Sequence, residues 1–269
     1  MRVAWTRAIR FVAPDGRVLR GEPILPASDV DIGKLTEADA LQAKVIVGDD
    51  LYDESGATYV SEEVVAVKKL LGPLAQSNVP ILRCIGLNYL RHILEVPGRE
   101  PPPFPSIFFK SNTTVNDHDA AVIIPKICQD DQADYEGELC TVMGRDAKDV
   151  SIDTALEYVA GFTCGNDLSS RKHQRDPAYA GDPEKLHLRT IVDGEVRQNT
   201  ALNDLLFSCA YIVSYLSSGT TLQKGSVIMT GTPGGVGASF NPPKYLKPDT
   251  VMEVEISKIG TLRNYVEFA

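Results

Sequence analysis

The densest chemical signal in the 269-residue chain is the hexapeptide Asp134-Tyr135-Glu136-Gly137-Glu138-Leu139. In an extended strand, side chains two apart share a face and sit about 7 Å apart along the chain, so Glu136 and Glu138 project the same way. Paired carboxylates repel unless water, a proton or a cation neutralises them. On an exposed face water does so cheaply. Tyr135, Leu139 and Val142 instead mark a mostly buried strand, where a bare pair is costly and a hard cation with oxygen ligands resolves the cost. Carboxylate-only ligation favours Mg²⁺, Mn²⁺ or Ca²⁺ over zinc. A third acid, Asp167, follows the apolar run 158–165. An acid at the exit of a buried strand stands where loops carry function on a rigid base. An Asx turn or a helix cap uses the same residue type equally well.

Two further segments carry chemistry. In residues 86–95, His92 and Glu95 fall at i,i+3 if the segment forms a helical turn. A carboxylate beside an imidazole orients the ring and raises its basicity, giving a general base or water activator; a solvent-facing ion pair is the plainer alternative. In Thr230-Gly231-Thr232-Pro233-Gly234-Gly235-Val236-Gly237, glycines let backbone amides approach an anion and Thr232 adds a hydroxyl. The segment lacks the Gly-Lys-Ser/Thr of a phosphate loop and the helix pattern of a dinucleotide fingerprint, and a tight turn accounts for it as well.

Composition bounds what these residues serve. Hydrophobic residues make up 43% and charged residues 23% of the chain, which excludes general disorder. A formal net charge of −9 argues against nucleic acid or an anionic membrane as the main partner. It does not exclude acidic substrates, because a bound divalent ion inverts the local field. Five scattered cysteines, none spaced as CxxC, read as reduced core fillers. No apolar run reaches the roughly 18 residues of a membrane span. The first residues alternate like a strand and lack the apolar core of a secretory signal, so a cytoplasmic location is expected, with a mitochondrial one left open.

The elements that must position these side chains are mostly strands. Residues 3–12 and 17–22 read as a hairpin about Asp15-Gly16, and 44–48 as a short strand. A helix is expected from Ser61, on the helical spacing of Val64, Val67, Leu71 and Leu74, stopping at Gly72-Pro73. The polar stretch 76–80 divides a small N-terminal β domain (1–76) from a larger domain (81–269). Strands are expected over 81–86, 106–109, 121–124, 134–143, 187–192, 226–230, 251–256 and 261–268. Two helices, 151–161 and 208–219, each begin at a capping Ser and end at Gly. Many strands with few helices give a mixed α+β, predominantly β fold, a roll or barrel rather than a doubly wound sheet.

Taken in order, GLNYxxHxxE (86–95), DYExEL (134–139), NDxSxR (166–171), TGTPxGVG (230–237) and GTLRN (260–264) resemble the fumarylacetoacetate hydrolase superfamily from about residue 81 onward. The resemblance implies a mixed β-roll, a homodimer, and Mg²⁺ or Mn²⁺ held by Glu136, Glu138 and Asp167. It implies that His92 and Glu95 activate water or move a proton. It places Arg171, Gln174, Thr232, Gly231, Asn88, Tyr89 and Lys110 around the substrate. The implied substrates are small 2-oxo or 1,3-dicarbonyl acids. The implied reactions are hydrolysis of an acylpyruvate-type C–C bond and, on oxaloacetate, decarboxylation or keto–enol tautomerisation.

One departure stands out. After Gln174 the family continues through a segment bearing an active-site lysine, whereas Arg175-Asp176-Pro177-Ala178-Tyr179-Ala180-Gly181 runs straight into Asp182-Pro183. Neither Lys172 nor Lys185 aligns with that lysine. The shortened segment predicts an exposed edge or a void, and a metal-binding protein with weak or no catalysis as the alternative to an efficient enzyme.

Overall fold

The architecture is that of a computed structural model describing residues 3–28, 30–129, 131–171, 186–218, 220–257 and 259–268. The chain opens with strands β1 (Ile9–Val12), β2 (Val18–Ile24), β3 (Gln42–Val47), β4 (Tyr59–Ala66) and β5 (Lys69–Leu71). It continues with β6 (Leu82–Gly86), helix α1 (Leu90–Ile93), β7 (Ser106–Lys110), β8 (Ala120–Ile124), β9 (Ala133–Asp134) and β10 (Gly137–Met143). Helix α2 (Ile152–Ala155), β11 (Val159–Asn166), β12 (Ser169–Ser170), β13 (His187–Val192) and β14 (Glu195–Ala201) follow. Helix α3 (Cys209–Ser217), β15 (Val227–Met229), β16 (Val251–Ile256) and β17 (Gly260–Phe268) complete the described elements.

Three five-stranded sheets result, ordered β4-β3-β2-β1-β5, β11-β10-β15-β6-β7 and β14-β13-β16-β17-β8, with a short β12-β9 ladder beside them. The first is antiparallel throughout, whereas β15 runs parallel to β6 and β17 parallel to β8. The fold is therefore mixed and mostly β, as expected, but no sheet closes on itself among the described residues, so the barrel alternative is set aside. Among those residues no helix is long and apolar enough to cross a membrane.

The β10 strand explains why the site can be held rigidly. Every residue from Gly137 to Met143 is buried, as a central strand covered on both faces requires. One side packs Cys140 and Val142 with Cys84, Met229 and Tyr52; Met143 joins Ile85, Ile228, Ile212 and Leu216 under α3. Helix α3 starts where its cap residue predicts: the Ser208 hydroxyl accepts the Tyr211 amide at 3.1 Å.

Several expectations need correcting. The helix from Ser61 is instead strand β4, paired with β3 from Tyr59 to Ala66, followed by β5. Val60, Val64 and Val65 are β-branched and suit a half-exposed strand; the i, i+3, i+7 spacing of the apolar residues was coincidental. Ser61 accepts the Glu63 amide within the strand rather than capping a helix. The opening strand begins only at Ile9. The helix over 151–161 ends at Ala155, and after a 3₁₀ turn strand β11 takes over at Val159. The single strand 134–143 is broken at Tyr135 and Glu136, and β14 was not foreseen at all. The shortened stretch after Gln174, and the Gly219 helix end, fall outside the described residues.

Ile228 lies fully buried at the centre of β15. Its replacement by alanine is expected to cost about 2–5 kcal/mol, read as a lowered urea midpoint at unchanged slope. A loss below about 1 kcal/mol would contradict this packing.

Candidate active site

The three carboxylates meet. One oxygen each of Glu136, Glu138 and Asp167 lies within 4.8 Å of the others, and all three residues are buried. The route differs from a simple shared strand face, because Glu136 sits in the break between β9 and β10. That break has a cause: the Glu136 amide donates to Asn166 Oδ1 (3.1 Å) and its carbonyl accepts the Asp167 amide (2.8 Å), so the Asn166-Asp167 corner pins it. Glu138 is on β10 and accepts the Gly231 amide at 2.8 Å.

Charge around the triad does not balance. Lys110 contacts the Asp167 carboxylate and donates to the Leu168 carbonyl at 2.7 Å. Arg171 spans Asp134 Oδ2 (2.7 Å) and Glu136 Oε1 (2.5 Å). Among the described residues four buried carboxylates thus face two cations, leaving a deficit of two charges. The deficit shows in the titration of the acids. Burial, reinforced by Asp167 and Glu136, drives the Glu138 carboxyl well above its ordinary range. Burial likewise pushes Asp167 up to about 6, although Lys110 opposes the rise. For Lys110 burial alone would lower the ammonium, but the adjacent Asp167 outweighs it and the group is held above its usual value. Arg171 is raised in the same way: its burial is overcome by Glu136 and Asp134.

A divalent cation fits this site. The donors are all carboxylate oxygens, Asp167 Oδ2 is buried without a hydrogen-bond partner, and the missing charge is two. Asn88 adds another unused acceptor. Its amide donates to the Thr230 carbonyl, which leaves Oδ1 buried and unpartnered.

The glycine-containing loop after β15 ties the remaining residues together. Gly231 has φ +99°, and a Cβ there would sit 2.3 Å from the Asn88 Cβ, so only glycine permits this approach. Thr232 donates to the Gly137 carbonyl at 3.2 Å. His92 and Glu95, brought together by α1, share a 2.5 Å hydrogen bond between Nδ1 and Oε2. The other Glu95 oxygen accepts the Gly235 amide, so the pair is clamped onto the same loop rather than facing solvent. Tyr89, the residue that precedes α1, is buried in a cluster with Leu139, Leu188, Leu202 and Leu205. Of the residues that the resemblance assigns to the site, Gln174 lies outside the described residues.

Two positioning residues escaped the sequence reading. Gln198, on β14, accepts the Gly137 amide (3.2 Å) and donates to Thr232 Oγ1 (2.8 Å) and the Pro233 carbonyl (2.9 Å). Nothing in the polar run Glu195–Ala201 marks it. Asp134 accepts from Gly237 (2.7 Å), Ala238 (2.9 Å) and Arg171, joining the acid cluster to the loop. Its place within the DYExEL motif was the available signal.

Comparison with known proteins agrees with this geometry. The sequence model of the family described as "Fumarylacetoacetate (FAA) hydrolase C-terminal" matches residues 82–180 and 176–267. The two stretches meet where the sequence departs from the family pattern. Caffeoylpyruvate hydrolase of Neonothopanus nambi is 40% identical over 273 residues, covering 98% of this chain and 93% of that protein. Oxaloacetate tautomerase YisK of Bacillus subtilis is 34% identical over 238 residues, covering 80% and 77%. The crystal structure of 5-carboxymethyl-2-hydroxymuconate delta-isomerase from Mycobacterium smegmatis superposes with a TM-score of 0.74 at 29% identity, covering 98% of this chain and all of that one.

Protons and a cation compete for the triad, which sets a pH dependence. Because the Asp167 pKa is raised to about 6, the folded state holds a proton that the unfolded chain releases near pH 4. The contribution of this group to stability therefore falls as pH rises from about 4 to about 6. Added Mg²⁺ or Mn²⁺ is expected to raise Tm more at pH 7.5 than at pH 5, and Asp167→Asn to abolish the rise. An equal metal response in that variant would contradict the assignment. Arg171→Met strands Asp134 and Glu136 without their cation and is expected to cost about 3–5 kcal/mol by chemical denaturation in EDTA.

Proposed function

The chain belongs to the fumarylacetoacetate hydrolase family, and from that membership we propose that it hydrolyses the C–C bond of acylpyruvate-type 1,3-dicarbonyl acids with Mg²⁺ or Mn²⁺ as its cofactor. The observation that carries this reading is the His92–Glu95 pair fixed on the loop whose Gly231 amide also binds Glu138. Likeness to a caffeoylpyruvate hydrolase along 98% of the chain supports hydrolysis over the family's other outcomes. Glu136, Glu138 and Asp167 would hold the cation, which when bound acts as a Lewis acid toward the substrate's oxygens.

The rest of the chemistry falls to the chain. Glu95 accepts from His92 Nδ1, which leaves Nε2 as the basic nitrogen. His92 takes a proton from water, and the hydroxide adds to the acyl carbonyl carbon. The C–C bond then breaks, releasing a carboxylic acid and the enolate of pyruvate, which regains a proton to become pyruvate. Asn88 Oδ1, Gly231 and Thr232 border the acids and orient the substrate; Tyr89 anchors the start of α1, and Lys110 and Arg171 set the charge of the acids. The homodimer is part of this reading, supported by the exposed apolar side chains of Leu94, Val96, Phe104 and Phe109.

Oxaloacetate tautomerisation is the second reading, favoured by the Bacillus subtilis relative. It uses His92 as a proton carrier with no water consumed. Steady-state assays on an acylpyruvate and on oxaloacetate, with metal and with EDTA, separate the two. Metal-dependent release of pyruvate is expected, and His92→Asn should lower kcat about 10²–10⁴-fold while keeping the metal-induced rise in Tm. Turnover of oxaloacetate alone would replace the hydrolase reading, and full activity in His92→Asn would remove the proposed base.

A further inference from the structure

Away from the acids, a crevice of about 390 Å³ opens where residues before and within β1, together with β5, face β10, β11 and β17. None of the residues proposed for the active site lines it. Its walls are mostly apolar, yet the polar residues among them include Arg7, Tyr52 and His118. Among the described residues no aspartate or glutamate lines it, although the chain carries 36 of them and a net charge of −9.

We propose that this crevice is a second binding site, for a small amphipathic monoanion with an apolar aromatic or acyl body and one carboxylate. The volume lies in the range of small-molecule pockets. Trp5 and Phe162 offer aromatic walls. Arg7 donates to the carbonyls of Val30 (2.9 Å) and Ile259 (2.7 Å), which engages two of its five N–H groups and fixes the guanidinium in place. Asp31 balances part of that charge but is turned to the Thr261 hydroxyl (2.6 Å) and the Gly33 amide (3.1 Å), outside the lining. His118 accepts the Arg263 amide on Nδ1 at 3.3 Å, so its proton resides on Nε2, a donor. The Tyr52 side chain is 8% exposed and its hydroxyl is buried with no partner among the described residues. An orphaned hydroxyl of this kind costs free energy that a ligand oxygen would recover. The cationic Arg7 and the donors of His118 and Tyr52 favour an anion over a cation or a neutral molecule.

The test has a built-in reporter, because Trp5 is the only tryptophan in the chain and it lines the crevice. Trp5 fluorescence is followed while 4-phenylbutyrate, its neutral amide or 4-phenylbutylamine is added to the full chain in EDTA, which keeps the outcome independent of the proposed catalysis. A saturable change is expected with the acid, at least about tenfold weaker binding for the amide, and none for the amine. Tyr52→Phe is expected to weaken the acid about fivefold without lowering Tm, since that hydroxyl has no hydrogen-bond partner among the described residues. Gly161→Val fills the crevice: a Cβ there meets only the Trp5 ring, at 3.8 Å. Saturable binding of the acid should disappear in that variant. Equal affinity for acid and amide, no Trp5 response up to about 10 mM, or wild-type affinity in both folded variants would overturn the proposal.

Discussion

The structure turns on a buried excess of negative charge that the side chains of the described residues do not cancel. Glu136, Glu138, Asp134 and Asp167 are all withdrawn from water, while Lys110 and Arg171 supply only two opposing charges. Uncompensated carboxylates in a poorly solvated interior are among the most destabilising features a fold can carry. Burial accordingly raises the carboxyls of Glu138 and Asp167 above their ordinary range, which favours their protonated forms. Such a site is poised to exchange those protons for a divalent ion. Rigidity is what keeps the acids from relaxing outward: β10 is covered on both faces, and the Asn166-Asp167 corner is bonded to Glu136 through its backbone.

The same constraint organises the loop over residues 230–237. Acids of the site accept three of its amides: Glu138 that of Gly231, Glu95 that of Gly235 and Asp134 that of Gly237. The loop is therefore a frame that sets the His92–Glu95 pair and the acid cluster at a fixed separation, with Gln198 bracing it from β14. A general base positioned this way gains from orientation as well as from basicity.

Much of this was legible in the sequence because the signals were local. Alternation in Val251–Ile256 matches its burial residue by residue, and the Ser208 cap announced α3. The acids, the histidine pair and the glycine loop were each visible as spacing, though spacing alone left every one of them ambiguous until the family motifs were read in order. What failed was non-local. The β4 strand carries apolar residues at helical intervals, and only its pairing with β3 decides the matter. Glu136 and Glu138 meet through a strand break rather than along a strand, because Asn166, some 30 residues on, competes for the Glu136 amide. Gln198 was invisible for the same reason: a lone amide in a polar strand has meaning only once the loop is folded against it.

The commitment of both buried cations has a consequence for selectivity. Lys110 is spent on Asp167 and the Leu168 carbonyl, and Arg171 on Asp134 and Glu136. Neither presents an unopposed charge with which to recruit an anionic substrate. A carboxylate arriving at the site meets net negative charge unless a divalent ion has first reversed it. A divalent ion held by Glu136, Glu138 and Asp167 would supply the positive charge that Lys110 and Arg171 do not offer. Hydrolases, tautomerases and isomerases stand together among the relatives of this chain.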